Sequence, residues 1–106
     1  MVTAEFIRAG KVFAEAAGQA MYAQVGERDA CGFGWVEVYV DRTNSKQARE
    51  LIAAGFRKDY KPKCLSMWDP AGIPTQSISV KEAGAQAYAK YLQGLGLTAY
   101  GCSRLD

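Results

Sequence analysis

The chain has no histidine among its 106 residues. That absence removes the commonest general base, the commonest metal ligand and the usual switch near neutral pH. Cysteine is sparse and odd in number. Cys31, Cys64 and Cys102 stand far apart with no CxxC pair, so a zinc site would need acidic residues to complete it. Long apolar runs are also missing: no stretch approaches the roughly 18 apolar residues of a membrane span. The segment Met1 to Gly26 lacks the basic start and apolar run of a secretory signal. These absences set the expectation of a reduced, cytoplasmic setting with no membrane contact. A strong charge of one sign is lacking as well. The net charge of +2 does not by itself imply nucleic acid.

What is present is ordinary for a globular protein: 49% hydrophobic and 23% charged residues, in a length that suits one domain over 1–106. The clearest element is Gly32-Phe33-Gly34-Trp35-Val36-Glu37-Val38-Tyr39-Val40-Asp41. It alternates strictly and is rich in β-branched and aromatic side chains, so it reads as a strand. Period two sorts it into an aliphatic row, Val36, Val38 and Val40, and a second row of Phe33, Trp35, Glu37 and Tyr39. A second row that is aromatic rather than plainly polar is either covered by another layer or used to hold something.

Around that strand the chain divides into 1–26, an N-terminal helix on or beside the sheet, and 31–106, the core. Thr3 to Val25 predicts the helix, with Thr3 as cap, Glu5 in the first turn and a stripe of Phe6, Gly10, Phe13, Ala17 and Met21. A second helix begins at Asn44 or Ser45, with Gln47 completing a box with Asn44. It buries Ala48, Leu51, Ile52 and Phe56, turns Lys46, Arg49 and Glu50 outward, and ends at Gly55. Arg57 to Lys63 is expected as a basic loop. Cys64 to Trp68 and Gln76 to Val80 predict two further strands, separated by the turn chemistry of Asp69 to Pro74. Ser79 with Glu82 predicts the cap of a third helix running to about Gln93. Leu97 to Cys102 is the last strand, before a short polar end at Ser103 to Asp106.

The expected order after the first helix is β-α-β-β-α-β, so the fold class is α+β: an N-terminal helix and a ferredoxin-like split βαβ sandwich with a four-stranded antiparallel sheet. Right-handed crossovers put both later helices on one side. Val36, Val38, Val40, Leu65, Met67, Ile78, Val80, Leu97 and Ala99 then form the covered face. Trp35, Glu37, Tyr39, Cys64, Ser66, Trp68, Ser77, Thr98, Tyr100 and Cys102 form the other.

Two regions stand out as candidate sites. The second sheet face offers Trp35, Glu37, Tyr39, Trp68 and Tyr100, a surface of the kind on which RNA-recognition domains stack bases. Cys31 to Val38 shares the glycine and aromatic order of their longer ribonucleoprotein motif. It departs from that motif at Cys31 and Val38, and it lies on the first strand rather than the third. The structural alternative is that the first helix packs over this face and buries Trp35 and Tyr100. The basic stretch offers Arg57, Lys58, Tyr60, Lys61 and Lys63, which suit phosphate or an acidic partner surface; a solvated loop is the alternative. Enzymatic signals are poor. There is no nucleophile–base pair and no phosphate loop, and Glu37 reads either as a perturbed carboxylate or as a rim residue paired with Arg104 or Lys63. No catalytic residue, metal or cofactor is expected.

The combination of Cys31-Gly32-Phe33-Gly34-Trp35-Val36, Glu82-Ala83-Gly84-Ala85-Gln86-Ala87 and an Ala99-Tyr100 to Ser103-Arg104-Leu105-Asp106 ending resembles a group of small proteins from tailed bacteriophages. The resemblance runs from about Cys31 to the end and implies an origin but no activity. Taken with the residues, it sets the leading expectation: a non-enzymatic phage accessory protein that binds a host macromolecule, an enzyme or defence component, within the infected bacterium. Trp35, Tyr39, Trp68 and Tyr100 would anchor it, with Arg57, Lys58, Lys61 and Lys63 steering and Arg104 at the margin. The alternatives are a single-stranded nucleic-acid binder using the same aromatics, and a virion-associated or sheet-to-sheet homodimeric structural protein.

Overall fold

The computed structural model describes residues 1–106. It is an α+β fold with the elements α1 (Ala4–Ala9), α2 (Lys11–Val25), β1 (Gly32–Tyr39), α3 (Lys46–Ala53), β2 (Arg57–Lys58), β3 (Cys64–Trp68), α4 (Ile78–Gly94) and β4 (Thr98–Leu105). The four strands form one antiparallel sheet in the order β2-β3-β1-β4. The expected succession of elements from β1 onward is therefore present, but two of its strands come from other segments. Cys64–Trp68 is the third strand, not the second. The second is Arg57–Lys58, inside the stretch expected to be loop.

Gln76 to Val80 is not a strand, because Ser77 caps a helix there. Its hydroxyl accepts from the Val80 N–H at 3.2 Å and donates to Asp29 at 2.6 Å, and Asp29 also accepts from the Ser79 N–H at 2.8 Å. Two oxygens thus satisfy the helix's first free donors. The cap is Ser77, not Ser79, and Ser77 is buried rather than on the second sheet face. Those hydrogen bonds, the Ser77 hydroxyl first, hold the Asp29 carboxyl down at about 2. β4 also runs farther than expected, to Leu105, which pairs with Gly32.

One buried cluster joins the aliphatic side of the sheet to the helices, with Val36, Val38, Leu65, Met67, Leu51, Phe56, Val80, Tyr88 and Leu92 in it. α4 lies close on β1 because Gly34 carries no side chain: a Cβ there would stand 2.6 Å from the Lys81 backbone. Of the α3 face, Ala48 and Leu51 are buried, but Ile52 is exposed. Glu50 and Gln47 turn toward the N-terminus instead of toward solvent or Asn44. Glu50 accepts from the Ala4 N–H at 2.8 Å, and Gln47 exchanges two 2.8 Å bonds with the Val2 backbone. Ser45 caps α3. Thr3 stands at the N-cap position of α1 without a side-chain cap, since Glu50 takes that role.

The N-terminal helix occupies Ala4 to Val25 with a break at Gly10. The break has a cause. The Tyr91 hydroxyl donates to the Phe6 carbonyl at 2.6 Å and the Tyr88 hydroxyl to the Ile7 carbonyl at 2.7 Å, drawing acceptors out of the helical ladder. Only glycine fits beneath the two rings, for a Cβ on Gly10 would lie 2.4 Å from Tyr91 and 2.7 Å from Tyr88. The buried positions are Ala4, Ile7, Gly10, Ala14 and Gly18. Phe6 and Phe13, expected in the buried stripe, are exposed. α1 packs against α3 and α2 against α4, so the N-terminal helix joins the helical layer.

Candidate functional site on the open sheet face

Because α1 and α2 go to the helical side, no element covers the second face of the sheet. The alternative in which the first helix buries Trp35 and Tyr100 is overturned: Tyr100 is 53% and Trp68 49% exposed. Register assembles the face. Trp35 stands opposite Trp68 and Cys102, Glu37 opposite Ser66 and Tyr100, Tyr39 opposite Cys64 and Thr98, and Phe33 opposite Arg104. The Trp35 and Trp68 rings stack at 4.6 Å with planes 15° apart. Phe33 meets Trp68 edge-on at 5.9 Å, and Tyr39 meets Tyr100 in the same manner at 5.9 Å. Each such pair adds about 0.5–1.5 kcal/mol beyond the area it buries. The aromatics therefore hold one another in place.

Glu37 lies at the centre of this layer, only 4% exposed. Its carboxylate accepts from Trp35 Nε1 at 2.9 Å, from the Tyr39 hydroxyl at 2.9 Å and from Lys61 Nζ at 2.9 Å. It is not a rim residue, and its partner is Lys61 rather than Arg104 or Lys63. Burial works against its ionisation, but the bonds from Lys61, Trp35 and Tyr39 outweigh that and hold its pKa below the ordinary carboxylate value. The same bonds raise Lys61, and they push Tyr39 up to about 12. Burial pushes the Cys64 thiol up to about 11 and also raises Cys102, so neither thiol is poised as a nucleophile.

Sequence reasoning and structure agree on the aromatics of the face. The basic residues separate. Arg57 pairs in register with Ser66 on the open face, whereas Lys58 pairs with Leu65 of the covered face. Lys61 is committed to Glu37. Lys63 is exposed in the turn before β3, and Tyr60 is 91% exposed beside it. Arg104 lies over the Phe33 ring at 5.3 Å and the Trp68 ring at 6.0 Å. Phe33 belongs to the site although only its row, not its role, was legible. Lys61 and Glu37 are 24 residues apart, and no local pattern announces their pairing.

A cleft of about 670 Å³ opens beside Trp68, bordered also by Lys11, Arg57, Lys58 and Asp69. No group of three or more cysteine, aspartate or glutamate side chains is placed to share a metal ion, and no helix is long and apolar enough to cross a membrane. No protein-family model matches the chain, and comparison with curated proteins and with solved structures gives no match either.

Proposed function

We propose that this chain is a non-enzymatic bacteriophage accessory protein with a ferredoxin-like core, and that its open sheet face docks a host protein in the bacterial cytoplasm, inhibiting or redirecting it. One observation carries the reading: a self-supported aromatic layer, with Trp68 and Tyr100 half exposed, lies on a face that no other element covers. Rigid aromatics of this kind are the side chains that dominate protein interfaces. Arg57 and Arg104 border the layer and form no ion pair, since the Lys61–Glu37 bridge is the single one in the chain. They fit a partner with an acidic rim. The phage origin rests on the resemblance of the Cys31 to Asp106 motifs.

The alternative of single-stranded nucleic acid draws on the same surface, with Arg104 over two rings and Trp68 as a stacking platform. It is second because the rings are largely spent on each other. Affinity capture from host extract with the wild-type chain and with Trp68→Ser and Tyr100→Ser tests the first reading. One specific protein should be retained by the wild type, lost from both variants, and little affected by nuclease or moderate salt. Retention that is unchanged in both variants would sink it. Loss on nuclease treatment, with affinity falling steeply with salt, would transfer the site to nucleic acid.

A further inference from the structure

The N-terminal helix has a second apolar face that its own fold leaves open. Ile7, Ala14 and Gly18 are buried within the fold. A second row of apolar side chains, Phe6, Ala9, Phe13, Ala16, Ala20 and Ala23, falls at spacings that alternate three and four residues, with Val12 exposed beside it. That is the 3.5-residue repeat of a coiled-coil seam, and all six positions are exposed. Phe6 is 60% and Phe13 52% exposed. From Val12 to Val25 the only charged residue is Glu15. A surface helix ordinarily turns a polar face to water, and this one is apolar on both sides. The Phe13 ring also lies 5.4 Å from that of Tyr91, and Phe13, Ala87, Lys90 and Tyr91 line a mostly apolar groove of about 330 Å³ that carries the seam onto α4.

We propose that this seam pairs, antiparallel, with the same seam of a second copy of the chain. Size complementarity selects that occupant. The two-fold operation that sets Phe13 against Ala16 of the second copy also sets Phe6 against Ala23 and Ala9 against Ala20. Each ring then meets a small residue, and no ring meets a ring. Parallel pairing would stack Phe6 on Phe6 and Phe13 on Phe13 while holding the alanine layers apart. Charge permits the same arrangement. Glu5, Arg8, Lys11 and Glu15, the only charges in residues 4–25, sum to zero and lie off the seam. Antiparallel pairing further sets the positive N-terminal end of one helix beside the negative C-terminal end of the other. The seam lies in the helical layer, so pairing leaves both aromatic sheet faces outward, and the dimer presents two docking faces to a partner.

Sedimentation equilibrium of the full chain over a wide concentration range tests this, with Ala16→Glu and Phe13→Glu as seam variants and Trp68→Ser as control. The wild type should be a reversible dimer. Each seam variant should dimerise roughly tenfold or more weakly, with a melting temperature for Ala16→Glu that matches the wild type's at concentrations where the wild type is monomeric, and Trp68→Ser should pair normally. For the direction of pairing, Ala9→Cys and Ala20→Cys are placed separately in a Cys31→Ser, Cys102→Ser background. Mixed together, they should form the mixed disulfide faster than either forms its own. A chain monomeric throughout, a dimer indifferent to both seam variants, a dimer lost in Trp68→Ser, or faster self-disulfides would each overturn the proposal. Apart from a dimer lost in Trp68→Ser, none of these results touches capture through the sheet face, which is read separately.

Discussion

Glu37 shows how one side chain fixes the chemistry of a surface. An isolated carboxylate in an aromatic layer would be costly, yet here three donors converge on it. Replacing it by Gln removes the charge and leaves one acceptor oxygen for three donors. Glu37→Gln should therefore cost about 1–3 kcal/mol, read as a lower urea midpoint at unchanged slope, with Trp35 emission shifted. Asp29 gives the clearest pH dependence. Its folded pKa of about 2 lies below its ordinary 3.8, so the stability it adds is complete above 3.8 and is lost as pH falls toward 2. Asp29→Asn should flatten the acid limb of the stability–pH curve over that interval. An acid limb unchanged by the substitution would refute the role. Glu37, also lowered, acts in the same direction and keeps its own share of the limb in that variant.

At the scale of elements, the break at Gly10 is a contact between helices rather than a defect in one. The tyrosine hydroxyls of α4 take carbonyls from α1, and the absence of a side chain lets the rings sit there. In an isolated helix Gly10→Ala would help by about 1 kcal/mol. In this fold the added methyl must displace Tyr88 or Tyr91, and overpacking of that kind costs about 1–3 kcal/mol. Thermal melts should therefore show Gly10→Ala destabilised, whereas Gly94→Ala, whose Cβ meets nothing, should be neutral or slightly stabilising. A stabilised Gly10→Ala would mean that the two helices can separate at no cost. The same close packing explains why the expected stripe mixed two faces: Phe6 and Phe13 are the larger residues, but Gly10 and Ala14 are the ones that fit against α4, and Gly18 fits against Ala71 and Ile73.

At the scale of the molecule, the layering decides what is accessible. With all four helices on one side, the other side of the sheet is bare, and Trp68 should be quenched readily by acrylamide in the free protein. Trp35, half-buried with its ring stacked on that of Trp68, should be quenched less. Trp68→Phe and Trp35→Phe variants separate the two signals. Equal shielding of both tryptophans would mean that something covers the face in solution, and a sheet-to-sheet dimer would reveal itself by quenching that falls as concentration rises.

The sequence by itself determined β1, its two rows and the division of side chains between faces in Cys64–Trp68 and at Ala99 and Tyr100, because alternation in a strand is a local property with a fixed period. It also determined the α+β class, through helix caps, glycine stops and strand runs that each act over a few residues. Only the tertiary structure decided which segments became the second and third strands. A two-residue edge strand such as Arg57–Lys58 carries no periodicity, and Gln76 to Val80 alternates like a strand yet is drawn into a helix by Asp29, 48 residues from Ser77. Only the tertiary structure, too, brought Lys61 to Glu37 and sent the N-terminal helix to the helical layer. Both outcomes rest on contacts between residues far apart in the chain, where close packing and charge pairing act through space and leave no mark on local spacing.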